Sequence, residues 1–349
     1  MVRSTISSEK ILELIKDLPT ASKISAIAAL GTSGTLLAAG NAAAGMWKVY
    51  QEVATHRWFW EDHITSGLAK LHQNGLVSNP EILRSSFEMY AASSMHYRKR
   101  SDWYSNKSLT DTSFQKLQRP SKIEGAPPFV YVALGDSAAQ GVGCADVRDS
   151  YVALFASYLR RATRRRVILL NLSISGAIAS TVITSQIPRL LSFGIKPDLI
   201  TLDIGGNDTF YDAAEISVED FRKNLEIISR HLTVTTLIAE VPAEKPLPQD
   251  RRAQELNEAL KEAVENSGHI IVPIRKLGEV PLWKTLAIRA EDGFHPNADS
   301  YRLTALEFAL SAEPWLKERG IWQDTADILV SPRPVRGQIR SQTPSEETN

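Results

Sequence analysis

The chain of 349 residues lacks the features that mark several common classes of protein. It has a single cysteine, Cys144, so an intrachain disulfide is excluded, and this residue is expected to pack as a small apolar side chain. The 40 basic and 40 acidic residues balance, which argues against a protein that binds nucleic acid through bulk charge. There is no phosphate loop of the GxxxxGK type and no dense cluster of histidine and cysteine, so neither a cofactor nor a metal is expected.

One cluster of positive charge departs from this balance. It ends a predicted helix and precedes a predicted strand, a position where positive charge complements the helix dipole. Contact with an anionic lipid or polymer is the alternative explanation. The cluster consists of Arg160, Arg161, Arg164, Arg165 and Arg166.

Hydrophobic residues make up 43% of the chain, enough to bury a large core and to form more than one domain. Apolar runs of strand length are separated by amphipathic stretches with helical spacing. Strands that alternate with helices predict an α/β fold with a parallel sheet covered on both faces. The predicted strands span 129–134, 166–170, 199–204, 234–241 and 269–274, and the predicted helices span 150–161, 182–193, 218–232, 250–266 and about 298–316.

The sequence Gly135-Asp136-Ser137 directly follows the first apolar run. Ser137 would therefore lie at the carboxyl end of a buried strand, where open α/β sheets place their ligand sites. A serine hydroxyl is a weak nucleophile until a base removes its proton, and His295 is the candidate base. Asp292, three residues before that histidine, can orient it.

Two further strand ends carry candidate hydrogen-bond donors, Gly176 after the second run and Asn207 after the third. Acyl transfer needs donors aimed at the oxyanion of its tetrahedral intermediate. A glycine lets its backbone N–H approach closely, and an asparagine side chain offers an N–H without proton transfer. The neighbouring Asp136 and Asp208 are expected to fix turns rather than to take part in chemistry.

In the order serine, glycine, asparagine and histidine, these residues resemble the signature of the SGNH branch of the GDSL hydrolases. The resemblance extends from about Pro127 to Leu316 and implies a flavodoxin-like three-layer α/β/α SGNH hydrolase fold with a parallel five-stranded sheet. One departure is that Ala138 follows the serine, where the family usually has leucine. This departure puts the shape of the substrate site in doubt more than the chemistry.

The resemblance also implies roles for the motif residues. Ser137 would be the nucleophile, His295 the general base and Asp292 its orienting partner, while the oxyanion hole would consist of Ser137 N–H, Gly176 N–H and the Asn207 side chain. The implied enzyme is an esterase or lipase that cleaves carboxylic esters, of lipids or other acyl groups, through an acyl-enzyme. A cell-envelope carbohydrate O-acetylesterase and a non-catalytic SGNH-fold binding module are the alternatives. A phosphate-binding flavodoxin-like protein is less favoured, because residues 135–143 lack a basic anchor.

The stretch from Ile24 to Trp47 contains no charged residue and is long enough to span a bilayer. More lysine and arginine precede it than follow it, so an anchor here would leave the hydrolase outside the cytoplasm. A membrane-anchored or exported protein is therefore expected. Because the stretch is only weakly hydrophobic, a cleaved signal peptide and a buried helix of a cytoplasmic protein are the alternatives.

The sequence does not indicate an oligomeric state, but it does suggest an order of segments. Residues 50–101 are rich in aromatic side chains, which fits helices that pack beside the hydrolase, lie on a membrane surface or cap the active site. The predicted organisation is an N-terminal segment (1–23), a possible membrane anchor (24–47), a mainly helical accessory region (48–106), a linker (107–126), the hydrolase domain (127–317) and a disordered tail (331–349).

Overall fold

The computed structural model describes residues 36–77, 126–212, 214–243, 249–280 and 286–323. At the centre of the described residues is a sheet of five strands, and every neighbouring pair is parallel. The order across the sheet is β2-β1-β3-β4-β5, so the predicted α/β class and flavodoxin-like strand order are confirmed. The strands are β1 (Phe129–Gly135), β2 (Val167–Asn171), β3 (Leu199–Asp203), β4 (Thr236–Ala239) and β5 (Ile270–Val272).

Helices cover both faces of this sheet. Alternate residues of β1 face opposite ways, so that Val132 packs in one core and Tyr131 in the other. The bounds of the helices are α1 (Leu36–Gln73), α2 (Ser137–Gln140), α3 (Tyr151–Thr163), α4 (Ile187–Ser192), α5 (Val218–His231), α6 (Gln249–Val264) and α7 (Ala298–Glu318). Helices α4, α5 and α6 contribute to the core that contains Val132, and helices α3 and α7 contribute to the core that contains Tyr131.

The predicted helix over 182–193 contains Pro188, which would break a regular α-helix in its interior. The backbone avoids this conflict by forming a π-helical turn, Val182–Gln186, before α4 begins at Ile187. Pro188 therefore lies in the first turn of α4, where a missing N–H costs no hydrogen bond. The buried Gln186 side chain then binds both the N–H and the carbonyl of Gly135, at 2.9 and 2.8 Å, and fixes the end of β1.

Helix α1 packs along the edge strand β2. At Gly67 the helix lies so close to the strand that a Cβ atom would be 2.8 Å from Leu170 Cδ2. Ile64, Leu68 and Leu71 are almost completely buried in the core on one face of the sheet, while Trp60 joins the core on the other face. The helix thus covers a sheet edge that would otherwise expose unpaired backbone groups.

Of the helices in the described ranges, none combines the length and apolar character that crossing a bilayer requires. Helix α1 includes residues 36–47 of the predicted anchor. It continues without a break past residue 47, where the anchor was predicted to end, to Gln73. Residues 24–35 of the predicted anchor lie outside the described residues, as do residues 1–23, 78–125 and 324–349. Membrane anchorage and the domain boundaries stay predictions.

Candidate active site

The turn after β1 presents Ser137 as the first residue of α2. Asp136 caps this one-turn helix, since its side chain accepts a hydrogen bond from the Ala138 N–H at 2.9 Å. Gly135 has a φ of +143°, and a Cβ atom there would lie 2.3 Å from the carbonyl oxygen of Asp203. The turn therefore requires glycine two residues before the serine, and the predicted turn-fixing role of Asp136 is confirmed.

Three predicted site residues form a continuous hydrogen-bonded series. Ser137 Oγ lies 2.9 Å from His295 Nε2, and His295 Nδ1 lies 2.5 Å from Asp292 Oδ2. The serine and histidine are each only 6% exposed, so the series is held largely away from bulk water. This geometry allows the imidazole to take the serine proton while its other nitrogen stays bound to the carboxylate.

The carboxylate of Asp292 is suited to remain ionised. Burial is the largest influence on its pKa and would raise it, but the hydrogen bond from His295 Nδ1, the histidine charge and two backbone hydrogen bonds together outweigh burial. The N–H groups of Phe294 and His295 also bind its Oδ1, at 2.9 and 3.0 Å, so the pKa of Asp292 lies below its usual value. A carboxylate that accepts three hydrogen bonds is fixed in place and fixes the orientation of the histidine.

The two remaining predicted site residues lie on the loops after β2 and β3. Gly176 has a φ of +78°, a left-handed conformation that favours glycine. The buried Asn207 Nδ2 lies 2.9 Å from the Ala177 carbonyl oxygen and 3.2 Å from Asp136 Oδ2. These contacts link the asparagine to the loop that carries Gly176 and to the residue before Ser137. Both amide hydrogens of Asn207 therefore have acceptors, of which Asp136 is the more distant.

Asp208 also ties the loops together. Both of its carboxylate oxygens lie 3.2 Å from the Ala179 N–H, so it fixes the loop after β2, which agrees with its predicted role. Burial raises the pKa of Asp208 to about 6. Cys144 is completely buried in the apolar core, as predicted, and burial raises the pKa of its thiol.

A polar network behind Ser137 was not predicted from the sequence. Gln140 Nε2 donates to the Ser173 carbonyl at 2.7 Å, and the Ser175 hydroxyl donates to Gln140 Oε1 at 2.5 Å. Trp60 of α1 in turn donates its indole N–H to the Gln140 carbonyl at 3.0 Å. The aromatic character of residues 50–101 indicated packing there, but no local pattern specifies a partner 80 residues away.

A buried carboxyl group lies beneath the site. Asp203, the last residue of β3, is 6% exposed, and burial raises its pKa to about 7 from an ordinary 3.8. The hydroxyl group of Tyr131 bonds to Thr201 Oγ1 at 2.8 Å in the same region. Within the described residues, no group of three or more histidine, cysteine, aspartate or glutamate side chains is arranged to hold a metal ion.

Serine, histidine and aspartate in hydrogen-bonded series, at the carboxyl ends of a parallel sheet, form the arrangement found in serine hydrolases. Residues 133–303 match the model of the GDSL-like lipase/acylhydrolase family. The resemblance to GDSL-type esterases and lipases noted in the sequence is therefore confirmed for this part of the chain.

Individual proteins are also similar to this chain. The GDSL-like esterase Rv1075c of Mycobacterium tuberculosis (strain ATCC 25618 / H37Rv) is 28% identical over an alignment of 196 residues. That alignment covers 53% of this chain and 62% of the relative, which is less than two thirds of its length. The crystal structure of TesA is 20% identical, covers 53% of this chain and 98% of its own, and has a TM-score of 0.44. The structure of the acetylxylan esterase Axe2 from Geobacillus stearothermophilus is 16% identical and has a TM-score of 0.41, and the match covers 54% of this chain and 96% of Axe2.

Proposed function

We propose that this protein is a serine hydrolase that cleaves carboxylic esters through an acyl-enzyme on Ser137. His295 takes the proton of the serine hydroxyl as Oγ attacks the ester carbonyl, and Asp292 stabilises the imidazolium that forms. The tetrahedral intermediate formed by this attack then loses the alcohol, which takes the proton from His295 as its bond to the carbonyl carbon breaks. Water then attacks the acyl-enzyme with His295 again as the base, and the acid leaves as Ser137 regains its proton.

The observation that carries this proposal is the 2.9 Å contact between Ser137 Oγ and His295 Nε2. This distance is within the range in which a base can abstract a proton. The histidine is already oriented by the 2.5 Å contact of its Nδ1 with Asp292. The proton transfer therefore requires no rearrangement of the three side chains.

The proposed oxyanion hole consists of the backbone N–H groups of Ser137 and Gly176 and the side chain of Asn207. Ser137 begins α2, and the first N–H groups of a helix have no intrahelical acceptor. Asn207 would direct one N–H toward the oxyanion by giving up or sharing its 3.2 Å contact with Asp136. The 2.9 Å bond to the Ala177 carbonyl would keep the amide group in place during this change.

The proposed substrates are esters of lipids or of other acyl groups. A carbohydrate O-acetylesterase would carry the same catalytic residues and would differ in the acyl group that it accepts. Comparing p-nitrophenyl acetate with longer acyl esters separates the two. A preference for acetyl of more than about tenfold in kcat/KM, or about 1.4 kcal/mol, would favour the O-acetylesterase.

Labelling with a fluorophosphonate probe tests the central claim, because such probes react with activated serines. Wild-type protein and a Ser267→Ala control should be labelled equally, since Ser267 caps the end of α6, where its hydroxyl donates to the Val264 carbonyl. Ser137→Ala and His295→Ala should not be labelled. A folded wild-type protein that is neither labelled nor able to hydrolyse any ester would overturn the proposal and favour a binding module.

A further inference from the structure

Helix α1, which lies before the family-matched region, reaches the active site through Glu52. Its Oε2 accepts a hydrogen bond from the Gly143 N–H at 2.9 Å. Gly143 belongs to the loop that follows the nucleophile helix α2, and the next residues toward Ser137 are also tied down. The Val142 carbonyl accepts a bond from the hydroxyl group of Tyr301 at 2.7 Å. Glu52 thus fixes one side of a loop whose other side is held by α7.

Gly143 also lies directly against His295 and the residue that follows it. A Cβ atom at Gly143 would be 2.3 Å from the Pro296 carbonyl oxygen and 3.1 Å from His295 Cβ. The residue also has a φ of +100°, which L side chains rarely adopt. Only a bare glycine backbone fits here. A single residue therefore separates the carboxylate of Glu52 from the segment that carries the proposed base.

A second contact of α1 lies one turn earlier. Lys48 Nζ is 2.6 Å from Glu291 Oε1, directly before Asp292, although both side chains are largely exposed. An exposed ion pair of this kind adds little stability. Glu52 is more enclosed, and burial raises its pKa, while the bond from Gly143 and the charge of Lys48 lower it. The charges of Asp292 and His295 also act on Glu52.

We propose that Glu52 is a positioning residue for His295. Its carboxylate holds the Gly143 peptide against the His295–Pro296 backbone and places a negative charge within electrostatic reach of the imidazole. The inference rests on the proposed function, because it assigns Glu52 a part in the same reaction. The charged groups around the imidazole are Asp292 and Glu291 on its own loop, Arg289 bound to the Phe294 carbonyl, Asp136 beside Ser137, and Lys48 and Glu52 on α1.

Two substitutions separate the hydrogen bond from the charge. Glu52→Gln keeps an oxygen that can accept the Gly143 N–H but removes the negative charge. Because a nearby negative charge favours a protonated base, its loss should make the active, unprotonated form of the enzyme available at lower pH. The acid limb of kcat/KM should then move toward lower pH by about half a pH unit or more. Glu52→Ala removes the acceptor as well, and kcat should fall about tenfold with little change in KM.

The assay is hydrolysis of p-nitrophenyl acetate by the full chain between about pH 5 and pH 9. Gln51→Ala is the matched control, since this exposed residue is adjacent on the same helix and should give wild-type rates and a wild-type pH profile. Circular dichroism reports folding, and if Glu52→Ala does not fold, the acid limb of Glu52→Gln alone decides. An acid limb at the wild-type position in Glu52→Gln would overturn the inference.

Failure of this inference differs from failure of the proposed function. If folded wild-type protein is not labelled by the fluorophosphonate and hydrolyses neither p-nitrophenyl acetate nor a longer acyl ester, or if Ser137→Ala still hydrolyses the ester, the catalytic proposal is wrong. If hydrolysis depends on Ser137 but the Glu52 variants match Gln51→Ala, only the role of Glu52 is wrong.

Discussion

Replacing Asn207 with alanine removes the side-chain donor of the proposed oxyanion hole and leaves the serine, histidine and aspartate in place. Loss of one such donor elsewhere reduces turnover by about 100- to 1000-fold, which corresponds to about 2.7–4 kcal/mol of transition-state stabilisation. Because a donor of this kind acts on charge that develops during the reaction, kcat should fall by this factor while KM changes little.

The same substitution also affects folding, so activity must be measured per folded molecule. Asn207 is 4% exposed, and its loss leaves the Ala177 carbonyl and an oxygen of Asp136 without this donor. Loss of a hydrogen bond to a buried group costs up to about 1–3 kcal/mol. If only total activity were compared, a smaller amount of folded protein would be mistaken for a catalytic defect.

Asn257→Ala provides the matched control. Asn257 is 3% exposed and makes three hydrogen bonds, with the N–H and the carbonyl of Val241 and with the Ala253 carbonyl. Its loss should destabilise the fold at least as much as loss of Asn207, yet kcat per folded molecule should stay within about twofold of wild type, as its side chain binds none of the proposed catalytic residues. The assay is hydrolysis of p-nitrophenyl acetate, with urea unfolding of each variant. Equal kcat values for the two variants would refute the oxyanion assignment.

Two further substitutions test the buried polar groups. Asp203→Asn should flatten the pH dependence of the free energy of unfolding. In the folded protein the pKa of Asp203 is raised to about 7, so its protonated carboxyl group stabilises the fold. This stabilisation is complete below about pH 4 and is lost as the pH rises toward 7. Urea unfolding at about pH 5 and pH 8 measures this difference, and an unchanged difference in Asp203→Asn would contradict it. Trp60→Phe removes the indole N–H that donates to the Gln140 carbonyl and should lower the free energy of unfolding by about 1–3 kcal/mol. An unchanged free energy of unfolding would show that this hydrogen bond is unimportant.

Much of the fold and of the candidate site could be predicted because their signals are local. Strand β1 ends at Gly135 and is followed directly by Asp136 and Ser137, and its last residue must be glycine because of a φ of +143° and the contact with β3. Parallel strands place their carboxyl ends at one edge of the sheet, so residues far apart in sequence were expected to meet there. The 2.9 Å contact between Ser137 and His295 spans 158 residues of sequence and follows from that topology.

The contacts of helix α1 could not be predicted in the same way. Glu52 and Trp60 bind residues 91 and 80 positions away, and nothing in the helix sequence specifies Gly143 or Gln140 as partners. A helix shows which of its faces is apolar, but it does not show which surface that face will cover. The structure shows that the later part of the helix covers the edge of the sheet.

This packing bears on whether the hydrolase domain can exist without the helix that precedes it. Trp60, Ile64, Leu68 and Leu71 are each at most 2% exposed, and burial of a large apolar side chain contributes about 1.5–3 kcal/mol. Together they amount to about 6–12 kcal/mol, which is comparable with the whole stability of a typical domain. A chain shortened to begin at Pro127 would also expose the apolar side chains of β2 that these residues cover.

We therefore expect the shortened chain to fail to fold rather than to become a more open enzyme. Circular dichroism and urea unfolding would show this as loss of the cooperative transition, with loss of fluorophosphonate labelling at Ser137. A Lys48→Met variant of the full chain is the control, because it removes one exposed ion pair and should unfold within about 1 kcal/mol of wild type. A shortened chain that unfolds cooperatively and hydrolyses esters at the wild-type rate would show that α1 is dispensable, and Glu52 could then have no part in positioning His295.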